Sequence, residues 1–197
     1  MLLSTAYFPP VAYFSLLAAA PVVALEACEH YGKQSWRNRC RILTAGGPMD
    51  LRVPVCHGGS RLITEVRIDY ATPWVRQTEY AIETAYDSSP FFAYYRDPLF
   101  ALLEAKPERL WELNLSLIRF FCEKIGLEVR VEPTKAFVPP GADVPDDWRE
   151  RLHPKRPCLV PAKPYWQVFR ERFGFVPGLS VLDLLCNEGP ESVCIIK

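Results

Sequence analysis

Between residues 26 and 39 the chain reads EACEHYGKQSWRNR, a dense run of groups that can move protons and hold anions. Glu29 and His30 can each serve as a general base, because either reaches a useful pKa when partly buried. Lys33, Arg37 and Arg39 can grip a carboxylate or a phosphate, the arginines through two parallel N–H bonds. Asn38 can donate to a developing oxyanion, an interaction worth roughly 3 kcal/mol where such donors have been removed. Tyr31 stands beside these groups. The competing reading is a solvated loop whose charges pair with one another. Four further places carry candidate contacts. Tyr7, with Phe8, can stack on a sugar or nucleotide face or fill a core. Asp147, Arg149, His153 and Lys155 form a second polar cluster, within DDWRERLHPK. Asn187 follows Asp183 by four residues, so both lie on one side of a helix, as pocket contact or as structural cap. Asn114, the lone polar residue in LWELNLSLI, reads as a buried hydrogen-bonding anchor or a ligand contact.

Other chemistries find less support. Cys28, His30 and Cys40 lack the paired spacing of common zinc sites, so no metal is expected. No glycine loop of the G-x(4)-G-K or G-x-G-x-x-G type is present, so no tightly bound nucleotide cofactor is expected either. The chain carries 23 basic and 23 acidic residues for zero net charge, which argues against bulk nucleic-acid binding. Seven cysteines without C-x-x-C suit free thiols in a reducing compartment.

These residues need elements to position them. The opening MLLSTAYFPPVAYFSLLAAAPVVALEAC superficially resembles a secretion signal or a lipoprotein site ending at Cys28. The first basic residue is Lys33, whereas a signal begins with positive charge. Pro9-Pro10 interrupts the apolar run, and no uninterrupted stretch reaches the roughly 20 residues of a membrane span. The expected alternative is strand Leu2–Phe8, helix Val11–Ala20 and strand Val22–Ala27, a parallel pair with a helical crossover. The charged segment then leaves the carboxyl end of a strand, where ligands bind in α/β sheets. A hairpin follows around Gly46-Gly47-Pro48, from Arg41–Ala45 and Met49–Val55. Arg61–Tyr70 alternates and predicts another strand. Helices are expected from Thr72-Pro73 to Tyr86, from Ser88 to Glu104, and over Glu108–Ile125 with Leu110, Leu113, Leu117 and Phe121 on one face. Leu127–Val131 reads as a strand, Tyr165–Phe173 as a helix, and Val181–Cys186 as a last helix capped by Ser180. The fold class is therefore α/β: a small mixed sheet opened by a strand–helix–strand unit and covered by helices from residue 72 onward. Residues 1–197 are expected to form one domain, with a proline-rich loop or lid at 137–163.

Separated stretches of the chain resemble the WbqC-like proteins: TAYFPPVAYF, E-x-x-E-H-Y-G-K-Q-S-W-R-N-R, LRVPV, W-x(11)-Y ending at Tyr86, SSPFF, LWELN, YWQVF and LSVLDLLCNEGPES. The resemblance runs nearly end to end and rests on their order and spacing. It implies acyl transfer, specifically of glycine, onto an amino sugar in bacterial surface-polysaccharide biosynthesis. Its partners would be a small-molecule sugar and an acyl donor, with nucleic acid entering only if the donor is a charged tRNA. The resemblance also implies a cytoplasmic protein that keeps its apolar opening as part of the fold, and a lid carrying Asp147, Arg149 and Lys155. Three departures stand out. Thr5-Ala6 replaces a Gln-Pro, Glu26 and Glu29 stand where Asp-Asp is common, and Thr78 stands where a histidine is expected four residues after Trp74. The last departure favours a rival reading, a non-catalytic binding or scaffold protein that retains the fold.

Overall fold

The computed structural model describes residues 1–142, 144 and 146–197. The chain opens with strand β1 (Leu2–Leu3), helix α1 (Val11–Ala18) and strand β2 (Val22–Leu25). β1 and β2 pair in parallel, Leu2 opposite Ala24, and β5 (Arg130–Pro133) adds in parallel on the far side of β2. A second sheet is the antiparallel hairpin β3 (Arg39–Thr44) and β4 (Gly47–Arg52), closed with Thr44 opposite Gly47. Helices α2 (Trp74–Tyr86), α3 (Phe92–Glu104), α4 (Leu110–Ile125), α5 (Arg170–Phe173), α6 (Val181–Glu188) and α7 (Ser192–Ile196) complete this mixed α/β architecture.

Burial explains the order. Leu2, Leu3, Val23 and Leu25 are buried on the parallel strands, and α1 turns Tyr13, Phe14, Leu16 and Leu17 into the same core. Phe14 and Phe121 meet edge to face at 5.9 Å, joining α1 to the longest helix, α4. The expected face of α4 is buried, with Leu110, Leu113, Leu117 and Phe121 all inaccessible. Gly126, at φ 75, ends that helix in the left-handed conformation that a glycine adopts cheaply. Ser180 caps α6, its hydroxyl accepting from the Leu182 amide at 3.2 Å. Among the described residues no helix is long and apolar enough to cross a membrane.

Three expectations change. β1 stops at Leu3 rather than Phe8, because the chain bends through Ser4–Phe8 and Phe8 itself sits at φ 41. The stretch 61–70 forms no strand. It makes a 3-10 turn at Ile63–Glu65, with single bridges at Leu62, Arg67 and Ile68. Strict alternation would bury Glu65 beside Ile63; the tighter turn instead brings Ile63 and Val66, three apart, to one face. Finally, only Arg170–Phe173 of the expected 165–173 helix is helical. Tyr165 and Gln167 point inward with a period of two and are tied to other segments, which a helix would not permit.

Those ties converge on Asp183 of α6. Tyr165 donates to its carboxylate at 2.7 Å and Gln167 at 3.2 Å. Burial pushes the Asp183 carboxyl up to about 6, against the opposing pull of these hydrogen bonds. A carboxyl raised on folding binds its proton more tightly in the native state. Native stability therefore falls as pH rises from about 4 to 6, and the ionised carboxylate costs on the order of 3 kcal/mol above that window. Asp183→Asn should remove this dependence. The difference in unfolding free energy between wild type and variant, followed by urea denaturation, is expected to change by about that amount between pH 4 and pH 7. A difference that stays constant would contradict the assignment.

Candidate functional site

Three strands end side by side, and each delivers a polar group as it stops. β1 is followed by Ser4, β2 by Glu26 and β5 by Thr134. Glu26 is fully buried and its carboxylate is saturated. One oxygen accepts from Thr134 Oγ1 at 2.6 Å and the Cys28 amide at 3.0 Å; the other accepts from the Val138 amide at 3.0 Å and Arg149 Nη1 at 3.1 Å. Arg149 in turn holds Asp147 at 2.6 Å, and its hydrogen bonds keep the Asp147 carboxyl below the usual carboxylate range. The backbone of Asp146–Trp148 is stitched to the free edge of β1, through Leu2 N to the Asp146 carbonyl at 3.1 Å and Trp148 N to the Leu2 carbonyl at 2.9 Å. The start of this polar cluster is thus fastened to the sheet. Residues 143 and 145 of the 137–163 segment lie outside the described residues.

A second buried pair stands beside the first. Arg37 grips Glu29 with two bonds, Nε at 2.8 Å and Nη2 at 2.5 Å. Both residues are less than a tenth exposed. Ser4 bridges them, donating to Glu29 Oε2 at 3.1 Å and accepting from Arg37 Nη2 at 2.7 Å. Asn114 of α4 donates to the Arg37 carbonyl at 2.8 Å, which makes it the anchor of this segment. Among the described residues Arg37 Nη1 has no hydrogen-bond partner. A side chain at Gly32 would come within 3.4 Å of that nitrogen, so the glycine keeps the cation approachable.

Glu29, Arg37 and Arg149 line one cavity of about 570 Å³, bounded by Cys28, His30, Lys33, Phe137 and His153, and Glu26 lies fully buried behind Arg149. The cavity's lining carboxylates are Glu29, Asp147 and Glu150 and its lining cations Lys33, Arg37 and Arg149, and of those cations Lys33 makes no ion pair among the described residues. His153 overhangs from the polar loop. Its Nδ1 accepts from the Lys155 amide at 3.2 Å, which leaves the ring proton on Nε2. Burial and the nearby Arg156 and Arg37 lower its pKa, so the ring is neutral near pH 7. The arrangement offers an approachable guanidinium for an anionic group, a neutral imidazole that donates, and an exposed His30.

The other candidates fall into two sets. Tyr31, Asn38 and Arg39 line a separate, adjoining cleft, and His30 and Lys33 line both. Burial raises the Tyr31 phenol's pKa. The Asn38 amide is committed to the Val53 carbonyl at 2.9 Å, and Arg39 reaches Asp50 at 3.4 Å. Lys155 bonds Gln34 at the surface. Tyr7 and Asn187 lie elsewhere. The Tyr7 ring is completely enclosed against Phe8 and presents no face to a ligand. Asn187 donates to the Asp183 carbonyl one turn back within its own helix at 2.7 Å. Ser4 and Thr134 are not among the expected contacts. Ser4 is concealed by the expectation that β1 runs on to Phe8, whereas His153 is the histidine of the DDWRERLHPK cluster named above. Among the described residues no group of three His, Cys, Asp or Glu side chains is placed to hold a metal ion.

A parallel sheet whose strand ends carry buried ion pairs around an open pocket defines an α/β protein with a polar, small-molecule-sized site. The chain belongs to the WbqC-like protein family, which matches residues 5–151 and so includes both ion pairs. It is similar to the uncharacterized protein Rv1507c of Mycobacterium tuberculosis, with 27% identity across 94% of this chain and 92% of the relative. No solved structure matches it.

Proposed function

We propose that the protein transfers an acyl group, glycyl in the first instance, onto an amino sugar destined for a bacterial surface polysaccharide, and that it does so in the cytoplasm. The observation that carries this reading is the gathering of Glu29, His30, Lys33, Arg37 and Arg149 around a single cavity at the strand ends. The substrate class is the one that the resemblance to the WbqC-like proteins implies. In this reading Arg37 Nη1 and Lys33 hold the phosphate-bearing leaving group of an activated acyl donor, which departs with its bonding pair as the amine nitrogen bonds the acyl carbon. His30 takes the proton from the attacking amine, and Glu29 fixes the Arg37 fork. The oxyanion donor is His153 through Nε2–H, because the Asn38 amide is already engaged with the Val53 carbonyl. Asp147 and Arg149 hold the covering loop in place. The burial of Leu2, Leu3, Tyr13, Phe14 and Leu25 supports retention of the opening segment, since cleavage before Cys28 would remove β1, α1, β2 and Glu26 together.

A second reading, a non-catalytic binding protein, draws on Thr78. It is buried beside Tyr7, whose hydroxyl has no partner within hydrogen-bonding geometry. A histidine there could reach that hydroxyl, so the exchange alters the core rather than either cavity. The experiment compares glycine content of the surface polysaccharide in the parent strain, a deletion strain, and the deletion strain carrying wild-type or Glu29→Gln protein. Glycine is expected to fall on deletion and to return only with wild type. Unchanged glycine on deletion would remove the transferase reading.

A further inference from the structure

The adjoining cleft, of about 920 Å³, has a chemistry of its own. Lys33, Arg39, Arg52 and Arg61 line it, and Asp69 is its one lining carboxylate. Arg39 and Arg52 are directly opposite each other on β3 and β4. Like charges at facing positions of an antiparallel pair are destabilising, and among the described residues only the long contact of Arg39 to Asp50 offsets this one. Among the described residues Arg52, Arg61 and Lys33 make no ion pair. Arg39 Nε is buried without a partner, and its one carboxylate contact, to Asp50, is long at 3.4 Å. A cation set that repels itself and keeps a buried donor unsatisfied is one that an anion completes. The floor beneath these charges is apolar, formed by buried Val53 and Val66, and half-buried Tyr31 stands at one side. A planar or sugar ring fits against such a surface while its charged end meets the arginines.

We propose that this cleft binds the pyrophosphate of a nucleoside diphosphate, as the carrier end of a nucleotide-linked sugar. The assignment of the sugar rests on the transferase reading; the pyrophosphate site does not. The backbone of Glu29–Tyr31 is the wall between the two compartments, held by Tyr31 N to the Arg61 carbonyl at 2.6 Å and Ile63 N to the Glu29 carbonyl at 3.0 Å. Side chains along that wall divide between the two compartments. Glu29 faces Arg37, His30 borders both compartments, and Tyr31 lines the basic cleft. A sugar whose diphosphate lies among Arg39, Arg52 and Arg61 would present its amine at His30 and Lys33, opposite an acyl donor held at Arg37. The arginines supply the phosphate grip that the chain's missing glycine loop does not.

Isothermal titration calorimetry of the full-length protein with UDP and with inorganic pyrophosphate tests this. Both are expected to bind saturably at one site. Arg52→Glu and Arg61→Glu should each weaken binding about tenfold or more, the loss of charge-assisted contacts, with far-UV circular dichroism unchanged. Arg130→Glu, on the exposed edge of the parallel sheet, should leave it within twofold. No saturable binding by wild type, or equal losses in all three variants, would overturn the proposal. So would displacement of UDP by a single-stranded oligonucleotide at lower concentration, which would assign the cleft to a polynucleotide. UDP binding that depends on Arg52 in a protein whose deletion leaves polysaccharide glycine unchanged would retain the site and discard the transferase reading.

Discussion

Replacing Arg149 by alanine is expected to destabilise the protein by about 3–5 kcal/mol, the usual result of stranding one member of a buried pair. Glu26 has no exposed surface, and Arg149 is the only cation that reaches it among the described residues. Its remaining donors, the hydroxyl of Thr134 and two amides, are neutral. In a chain of this size such a loss lowers the melting temperature by roughly 10 °C. Glu26→Gln added to Arg149→Ala should recover much of it, because the uncompensated charge is then gone. A second readout is local. Asp147 is held low mainly by its hydrogen bonds from Arg149, so its stabilising contribution is present above the ordinary carboxylate range and lost as pH falls through its lowered value. Without Arg149 the Asp147 carboxyl should titrate in the ordinary range by NMR. Its departure would also release the Val138 carbonyl, which Arg149 Nη1 holds at 2.7 Å, so the wall of the cavity near Phe137 should become open to proteolysis. An Arg149→Ala protein with unchanged melting temperature would mean that Glu26 finds water or another partner, and the strand-end network would not be the anchor it looks to be.

That network shows what one sequence discloses and what it hides. Glu29, His30, Lys33 and Arg37 could be singled out because residue type and strand-exit position are both local properties. The partnership of Glu26 with Arg149 joins residues more than a hundred positions apart, and no periodicity encodes it. The hairpin was legible because Gly46-Gly47 marks its turn, and α4 because its apolar residues recur at helical spacing up to a glycine. The stretch 61–70 misled because Leu62, Val66, Ile68 and Tyr70 alternate while Ile63 does not; that one residue, tied to the core, chose the 3-10 turn. Tyr7 and Asn187 looked like ligand contacts by type alone. Whether an aromatic or an amide meets ligand or core depends on what covers it, and here Phe8 and the carbonyl of Asp183 do.

The same reasoning separates stability from function at Glu29. Glu29→Ala leaves the Arg37 guanidinium buried and unpaired, which should cost about 3–5 kcal/mol and lower the melting temperature accordingly. Loss of glycine transfer in that variant would prove little, since the segment carrying His30 and Lys33 would be disturbed as well. The informative protein is Glu29→Leu combined with Arg37→Met. Two apolar side chains of similar volume need no partner, and replacing a buried ion pair in this way is commonly neutral or stabilising. Ser4 loses both of its partners in the double variant, so a residual cost of about 1–3 kcal/mol from its hydroxyl is expected. The double variant should therefore melt well above Glu29→Ala while restoring no glycine to the polysaccharide of the deletion strain. Such a result makes the pair a device for holding one guanidinium edge toward the cavity, retained at a cost that packing alone would have avoided. A double variant that folds and restores glycine to the wild-type level would show that transfer proceeds without Arg37, and the anion-holding role assigned to it would fall.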